Sequence, residues 1–199
     1  MPIVVQHNMI ASFTTDDMAA YYKSKEATAQ PLVVDHVTPQ MTTSAVVAVA
    51  GYTLGPVLGK GVSAEVVLGQ CMADGRLVAL KFIDKAATSS YLAREEVTAL
   101  SLVDGPHVCR LLAVHDSVAY TKEGSFTATS HDLLVLEYQP GGELLSYLKN
   151  EKGAFSEDLA RHYFRQLLSS LHHCHVRGVC HRDVKPESKR KLVSATSRL

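Results

Sequence analysis

The stretch Leu58-Gly59-Lys60-Gly61-Val62-Ser63-Ala64-Glu65-Val66 constrains this chain most, because of what surrounds it. Glycines at this spacing let backbone N–H groups approach an anion with no Cβ in the way. The same residues satisfy the looser dinucleotide pattern G-x-G-x-x-A, with Asp84 downstream as a candidate acidic partner. That pattern requires a helix directly after the glycines. Here the runs Glu65 to Met72 and Arg76 to Ile83 flank Ala73-Asp74-Gly75. An Asp-Gly pair between β-rich runs is a hairpin signal. The glycines therefore open an antiparallel sheet, not a parallel βαβ unit.

The rest of the pattern extends that sheet. Tyr52 to Leu58, Leu111 to Ala119 and Leu133 to Tyr138 join the two hairpin runs as predicted strands, five in all. Tyr91 to Val103 predicts a helix, with Leu92, Val97, Leu100 and Val103 near helical spacing, ended by Gly105-Pro106. A short helix is expected from Glu143 to Lys149. Ser156 is the expected cap of a longer one, with the face Leu159, Ala160, Tyr163, Phe164, Leu167, Leu168 and Leu171. The fold class is α+β, a five-stranded antiparallel sheet with one helix followed by helices of a second lobe.

Composition narrows the function classes. The 199 residues hold 20 basic and 20 acidic side chains, so net charge argues for neither nucleic acid nor an anionic membrane as partner. The longest apolar run, Ala45 to Ala50, is too short to span a bilayer, and MPIVVQHNMI lacks the basic start of a signal peptide. Cys71, Cys109, Cys174 and Cys180 show no staple-like spacing, which favours a reduced, intracellular compartment. Residues 1–50 hold no sustained period and read as a loosely ordered extension. A short helix from Asp16 to Ala27, capped by Thr15 or Asp16, is the one element expected there.

Four further motifs follow the glycines in order. Val78-Ala79-Leu80-Lys81 lies on the third predicted strand and Glu96 on the next helix. Leu136-Glu137-Tyr138-Gln139-Pro140-Gly141-Gly142-Glu143 leaves the fifth strand, and His181-Arg182-Asp183-Val184-Lys185-Pro186-Glu187 comes last. From Tyr52 to Glu187 the chain resembles the eukaryotic protein kinase family, of the serine/threonine type. Within it, the chain is similar to the calcium/calmodulin-dependent and AMP-activated group, on Gly105-Pro106-His107-Val108 and the Glu137–Gln139 segment.

The resemblance implies ATP and Mg²⁺ as cofactors and a protein Ser or Thr hydroxyl as acceptor, with no nucleic acid or membrane partner. It assigns Leu58, Gly59, Lys60 and Gly61 to the loop over the nucleotide, and Val66 and Ala79 to the adenine faces. It assigns Lys81 to the α and β phosphates, held by an ion pair to Glu96, with Glu95 the neighbouring alternative. Leu136 would sit behind the adenine, and backbone groups of Glu137 and Gln139 would bond its edge. Glu143 would approach the ribose or a basic substrate residue; a carboxylate favoured at a helix start explains it equally well. Asp183 would accept the substrate hydroxyl proton, and Lys185 marks the serine/threonine type.

The pattern then breaks. Ser188 stands where the family places a magnesium-binding Asn, and no Asp-Phe-Gly occurs in the chain. No metal ligand is therefore assigned. Residues 51–188 are expected to form an incomplete kinase domain, truncated after the catalytic loop, and residues 189–199 an unrelated basic tail. The alternative to an active kinase is a catalytically dead pseudokinase that binds nucleotide or a partner. Without lower-lobe cover, the apolar face between Ser156 and Val176 predicts a partner or chaperone. His172, His173, Cys174, His175, Cys180 and His181 also invite a zinc reading, although the catalytic-loop resemblance accounts for His181 without metal.

Overall fold

The computed structural model describes residues 3–4, 11–13, 47–141, 144, 155–182, 184 and 189–191. The expected helix at 16–27 lies outside these residues, as does that at 143–149 apart from Leu144. In chain order the described elements are β1 (Ile3–Val4), β2 (Ala11–Phe13), β3 (Ala48–Val49), β4 (Tyr52–Lys60), β5 (Ala64–Cys71), β6 (Leu77–Asp84), α1 (Ser90–Leu102), β7 (Leu111–Tyr120), β8 (Thr129–Glu137), α2 (Glu157–His175), β9 (Val179–Cys180) and β10 (Lys189–Lys191).

The main sheet runs β3-β4-β5-β6-β8-β7, antiparallel throughout. The five expected strands are present, and β3 adds a sixth at the edge through Ala48↔Thr53 and Val49↔Tyr52. Two residues of β-bridge carry no readable alternation, which is why the sequence did not disclose them. Two short parallel pairs, β1 with β9 and β10 with β2, lie outside this sheet.

The central strands decide which residues face which core. Side chains alternate along a strand, so pairing in register sorts them into two sets. Val78, Leu80 and Phe82 share a face with Val67, Leu133 and Val135, as the pairs Val67↔Leu80, Leu80↔Val135 and Phe82↔Leu133 require. The sheet curls around this set, bringing the Tyr52 ring within 6.0 Å of His115 on β7. Gly69 is needed on β5 because a Cβ there would lie 2.5 Å from the buried Leu80 side chain. The opposite face carries Val66, Ala79, Lys81, Leu134 and Leu136, and α1 packs on it.

Ser89 caps α1, its hydroxyl accepting from the Leu92 N–H at 3.3 Å. The face that meets the sheet holds Val97, Leu100 and Val103 as expected and differs at Leu92. Ala93, Leu100 and Val103 are buried, while Leu92 is exposed. With Ala93 rather than Leu92 on this face, Glu96, three past Ala93 and four before Leu100, turns toward the sheet.

Ser156 caps α2 as expected, accepting from the Leu159 N–H at 3.3 Å. Leu159, Tyr163, Gln166, Ser170 and Cys174 form its buried stripe. Leu159 and Tyr163 pack with Leu144, Phe155 and Leu167. Of the expected apolar face, Leu159 and Tyr163 are buried while Ala160, Phe164 and Leu168 are exposed, Phe164 at 56%. The C-terminal end of α2 joins the first core instead. Cys174 and Val179 cluster with Val103, Val108 and Cys109, and the His173 ring lies where a Cβ on Gly105 would be. No helix among the described residues is long and apolar enough to cross a membrane.

Candidate nucleotide site

The glycine loop is a turn between β4 and β5. Gly59 pairs with Val66 and Lys60 with Glu65, and the Gly61 N–H donates to the Ala64 carbonyl at 2.8 Å. That bond occupies a donor at the centre of the glycine pattern, and Val62 projects fully into solvent. Strand β5 follows directly at Ala64, the geometry that excludes a dinucleotide fold.

Below the loop, the residues assigned to the adenine come together. Ala79 and Leu136 are buried cross-strand neighbours, and Leu58 and Val66 pack against the cluster they belong to. Lys81 lies opposite Val66 on one side and Leu134 on the other, with its side chain 5% exposed. An ammonium buried among apolar groups requires a counter-charge. Glu96 supplies it, Oε1 standing 2.5 Å from Nζ. Glu95 is elsewhere, accepting a 2.7 Å bond from the Tyr91 hydroxyl. One helical residue, 100° of rotation, separates the two roles.

At the end of β8 the ladder stops with Val78↔Glu137. The Glu137 N–H donates to the Arg110 carbonyl at 2.9 Å, so it is not available to an adenine edge. Its carbonyl accepts from the Cys109 thiol, a weak donor 3.6 Å away. The Gln139 side chain is 2% exposed, and neither of its amide atoms has a partner among the described residues. Buried amides are normally satisfied. The apolar cluster of Leu58, Val66, Ala79 and Leu136 fits the faces of a purine.

Lys60 is placed differently from a simple phosphate ligand. Its ammonium lies 2.6 Å from Glu123 Oε2 and 3.9 Å from Glu65 Oε1. Glu65, buried behind the loop, also accepts from the Tyr120 hydroxyl and, at 3.4 Å, from the Glu123 N–H. Sequence reading missed this group. The one local signal was a carboxylate at the start of a strand otherwise apolar, Glu65-Val66-Val67-Leu68; nothing pointed to Tyr120 or Glu123.

β9 leads out of the core toward the catalytic-loop motif. Val179 is fully buried, His181 is buried, and Arg182 is exposed with φ 56°. A left-handed arginine is a strained residue held by its surroundings, a feature concentrated at functional sites. Glu143, Asp183, Lys185 and Ser188 lie outside the described residues. Among the described residues, no three His, Cys, Asp or Glu side chains form a metal-ligating group. Burial pushes the Cys174 thiol up to about 11, which keeps it protonated. Ser188 offers a neutral hydroxyl on a short side chain in the position of an amide oxygen.

A family profile described as "Protein kinase domain" matches residues 52–188, more than half of the chain. The chain belongs to the protein kinase family. Among curated proteins, this kinase chain is 38% identical over 141 residues to CBL-interacting protein kinase 26 of Oryza sativa subsp. japonica, covering 69% of this chain and 26% of that protein. It is 37% identical over 142 residues to CBL-interacting serine/threonine-protein kinase 5 of Arabidopsis thaliana, covering 69% of this chain and 29% of that one. The chain therefore spans between a quarter and a third of the length of these relatives. A solved structure described as Rad53 1-466 in complex with AMP-PNP superposes with a TM-score of 0.58 at 26% identity, covering 69% of this chain and 33% of that one. The antiparallel sheet with α1 across it is thus the sheet lobe of a kinase fold.

Proposed function

We propose that this chain binds ATP between the glycine loop and the segment after β8, as the nucleotide-binding part of a protein serine/threonine kinase. The observation that carries the reading is the buried Lys81–Glu96 pair beneath an apolar cluster of Leu58, Val66, Ala79 and Leu136. An ammonium fixed by a carboxylate at the floor of such a pocket is positioned for the α and β phosphates. The Glu137 carbonyl and the backbone of Gln139 would bond the adenine, and Glu143 the ribose or a basic substrate residue.

The reaction would transfer the γ-phosphoryl group of Mg-ATP to a Ser or Thr hydroxyl of a protein substrate. Asp183 would accept the hydroxyl proton, and Lys185, two residues on, marks the acceptor as Ser or Thr. The chain's own contribution is orientation and charge: Lys81 holds the phosphates and Glu96 holds Lys81. A second reading, a pseudokinase that binds nucleotide or a partner without chemistry, is favoured by Ser188 inside the matched stretch. The exposed Phe164 and Leu168 on α2 are where a partner would bind.

The two readings separate on one assay. Transfer of labelled phosphate to a Ser/Thr peptide mixture, abolished by Asp183→Asn, supports the kinase. ATP binding lost in Lys81→Met, with no transfer above that of Asp183→Asn, supports the pseudokinase. Absence of ATP binding contradicts the kinase and leaves only a pseudokinase that binds a partner.

A further inference from the structure

The glycine loop is tied at both ends to one distant turn. Lys60 is the last residue before the loop's turn, Glu65 follows its close, and the two are cross-strand partners. Glu65 is 4% exposed, and a buried carboxylate demands charge and hydrogen bonds. It receives the Tyr120 hydroxyl, the Glu123 N–H and, more distantly, the Lys60 ammonium, which is itself bound to Glu123. Tyr120 cannot drift, because its ring stacks on Phe82 with centroids 3.7 Å apart and planes 8° from parallel. Burial, and then the Glu65 carboxylate, push the Tyr120 phenol above its ordinary range, so it remains a donor.

We propose that Tyr120 and Glu65 are positioning residues that fix the height of the glycine loop over the phosphate chain of a bound nucleotide. The proposal rests on the nucleotide-site reading above and deepens it. Phe82 anchors Tyr120, Tyr120 anchors Glu65, and Glu65 sets where the loop backbone leaves its turn. The adenine pocket is built from other residues and does not depend on this chain of contacts. Phosphate recognition and purine recognition are therefore separable in this molecule.

The test compares ATP with adenosine, by calorimetry, on the full chain and two variants. Tyr120→Phe keeps the stacked ring and removes one hydroxyl. It is expected to weaken ATP by about tenfold, the scale of a lost hydrogen bond to a charged group, while adenosine affinity stays within about twofold. Glu65→Gln keeps an acceptor for Tyr120 but loses the charge facing Lys60, and is expected to fall between. It also serves if Tyr120→Phe does not fold. A merely structural role would weaken both ligands together, and that result overturns the proposal. So does an ATP preference that survives both variants unchanged. If the unaltered chain binds neither ligand, the nucleotide-site reading itself fails and takes the proposal with it.

Discussion

The sheet lobe and the α2 region are built on different terms. In the sheet, Leu80, Phe82, Leu133, Leu134 and Val135 are wholly buried, and each has cross-strand partners that fix its face. Along α2, burial is confined to one stripe, and Phe164 and Leu168 stand 56% and 49% exposed beside it. Where the register is fixed on both sides of a strand, a charged residue such as Lys81 can be aimed at a single partner. Where a helix is held along one stripe, its remaining apolar residues contribute little to the fold and are free to meet something else.

The sharpest way to break this comparison is to truncate one aromatic in each region. Phe82→Ala removes a fully buried ring and its stack on Tyr120, and should destabilise the chain by about 3–5 kcal/mol in denaturant unfolding. Phe164→Ala should change stability by no more than about 0.5 kcal/mol. Equal effects would mean that α2 is packed as tightly as the sheet.

Next in size is the buried pair. Glu96→Ala leaves the Lys81 ammonium without its counter-charge, a change of about 3–5 kcal/mol for a buried pair that loses one partner. Glu95→Ala, one residue away and bonded to Tyr91, should stay within about 0.5 kcal/mol. Thermal melts of the two variants side by side check the contrast; a larger loss from Glu95 would reverse the assignment.

The caps sharpen the comparison at a smaller scale. Ser89→Ala and Ser156→Ala each remove one side-chain acceptor and should cost about 1 kcal/mol, measured by chemical denaturation.

The smallest effect is at the surface of the sheet. Lys85 bonds Asp116 at 2.6 Å and holds its carboxyl down to about 2. A depressed carboxylate stabilises the fold above its unfolded pKa, and that contribution is lost as pH falls from near 4 through about 2. Lys85→Met should return Asp116 toward the ordinary range in an NMR titration and flatten the acid limb of stability. An unchanged Asp116 titration would remove Lys85 as the cause.

How legible each part was follows from the range of its determinants. The hairpin at Asp74-Gly75 and the Ser89 and Ser156 ends rest on residues a few positions apart, and such signals are local. Lys81 with Glu96 was legible because the motif order aligned it with a known family. The helix face was misjudged at Leu92 because Leu92 and Ala93 both fit a 3.6-residue period, and only the sheet's position chooses between them. Tyr120 with Glu65 could not be read, since 55 residues separate two groups that meet only when β7 and β5 curl together. The bond from the Glu137 N–H to the Arg110 carbonyl could not be read either, because it depends on how the chain enters β7.

The most direct test of the account is a thermal-shift titration of the whole chain and of Lys81→Met with ATP, with and without Mg²⁺. The account predicts a cooperative melt for both, a transition that rises with ATP for the unaltered chain, and little or no rise for Lys81→Met. A cooperative melt that ATP leaves unmoved, or one that it moves equally in both proteins, would contradict it.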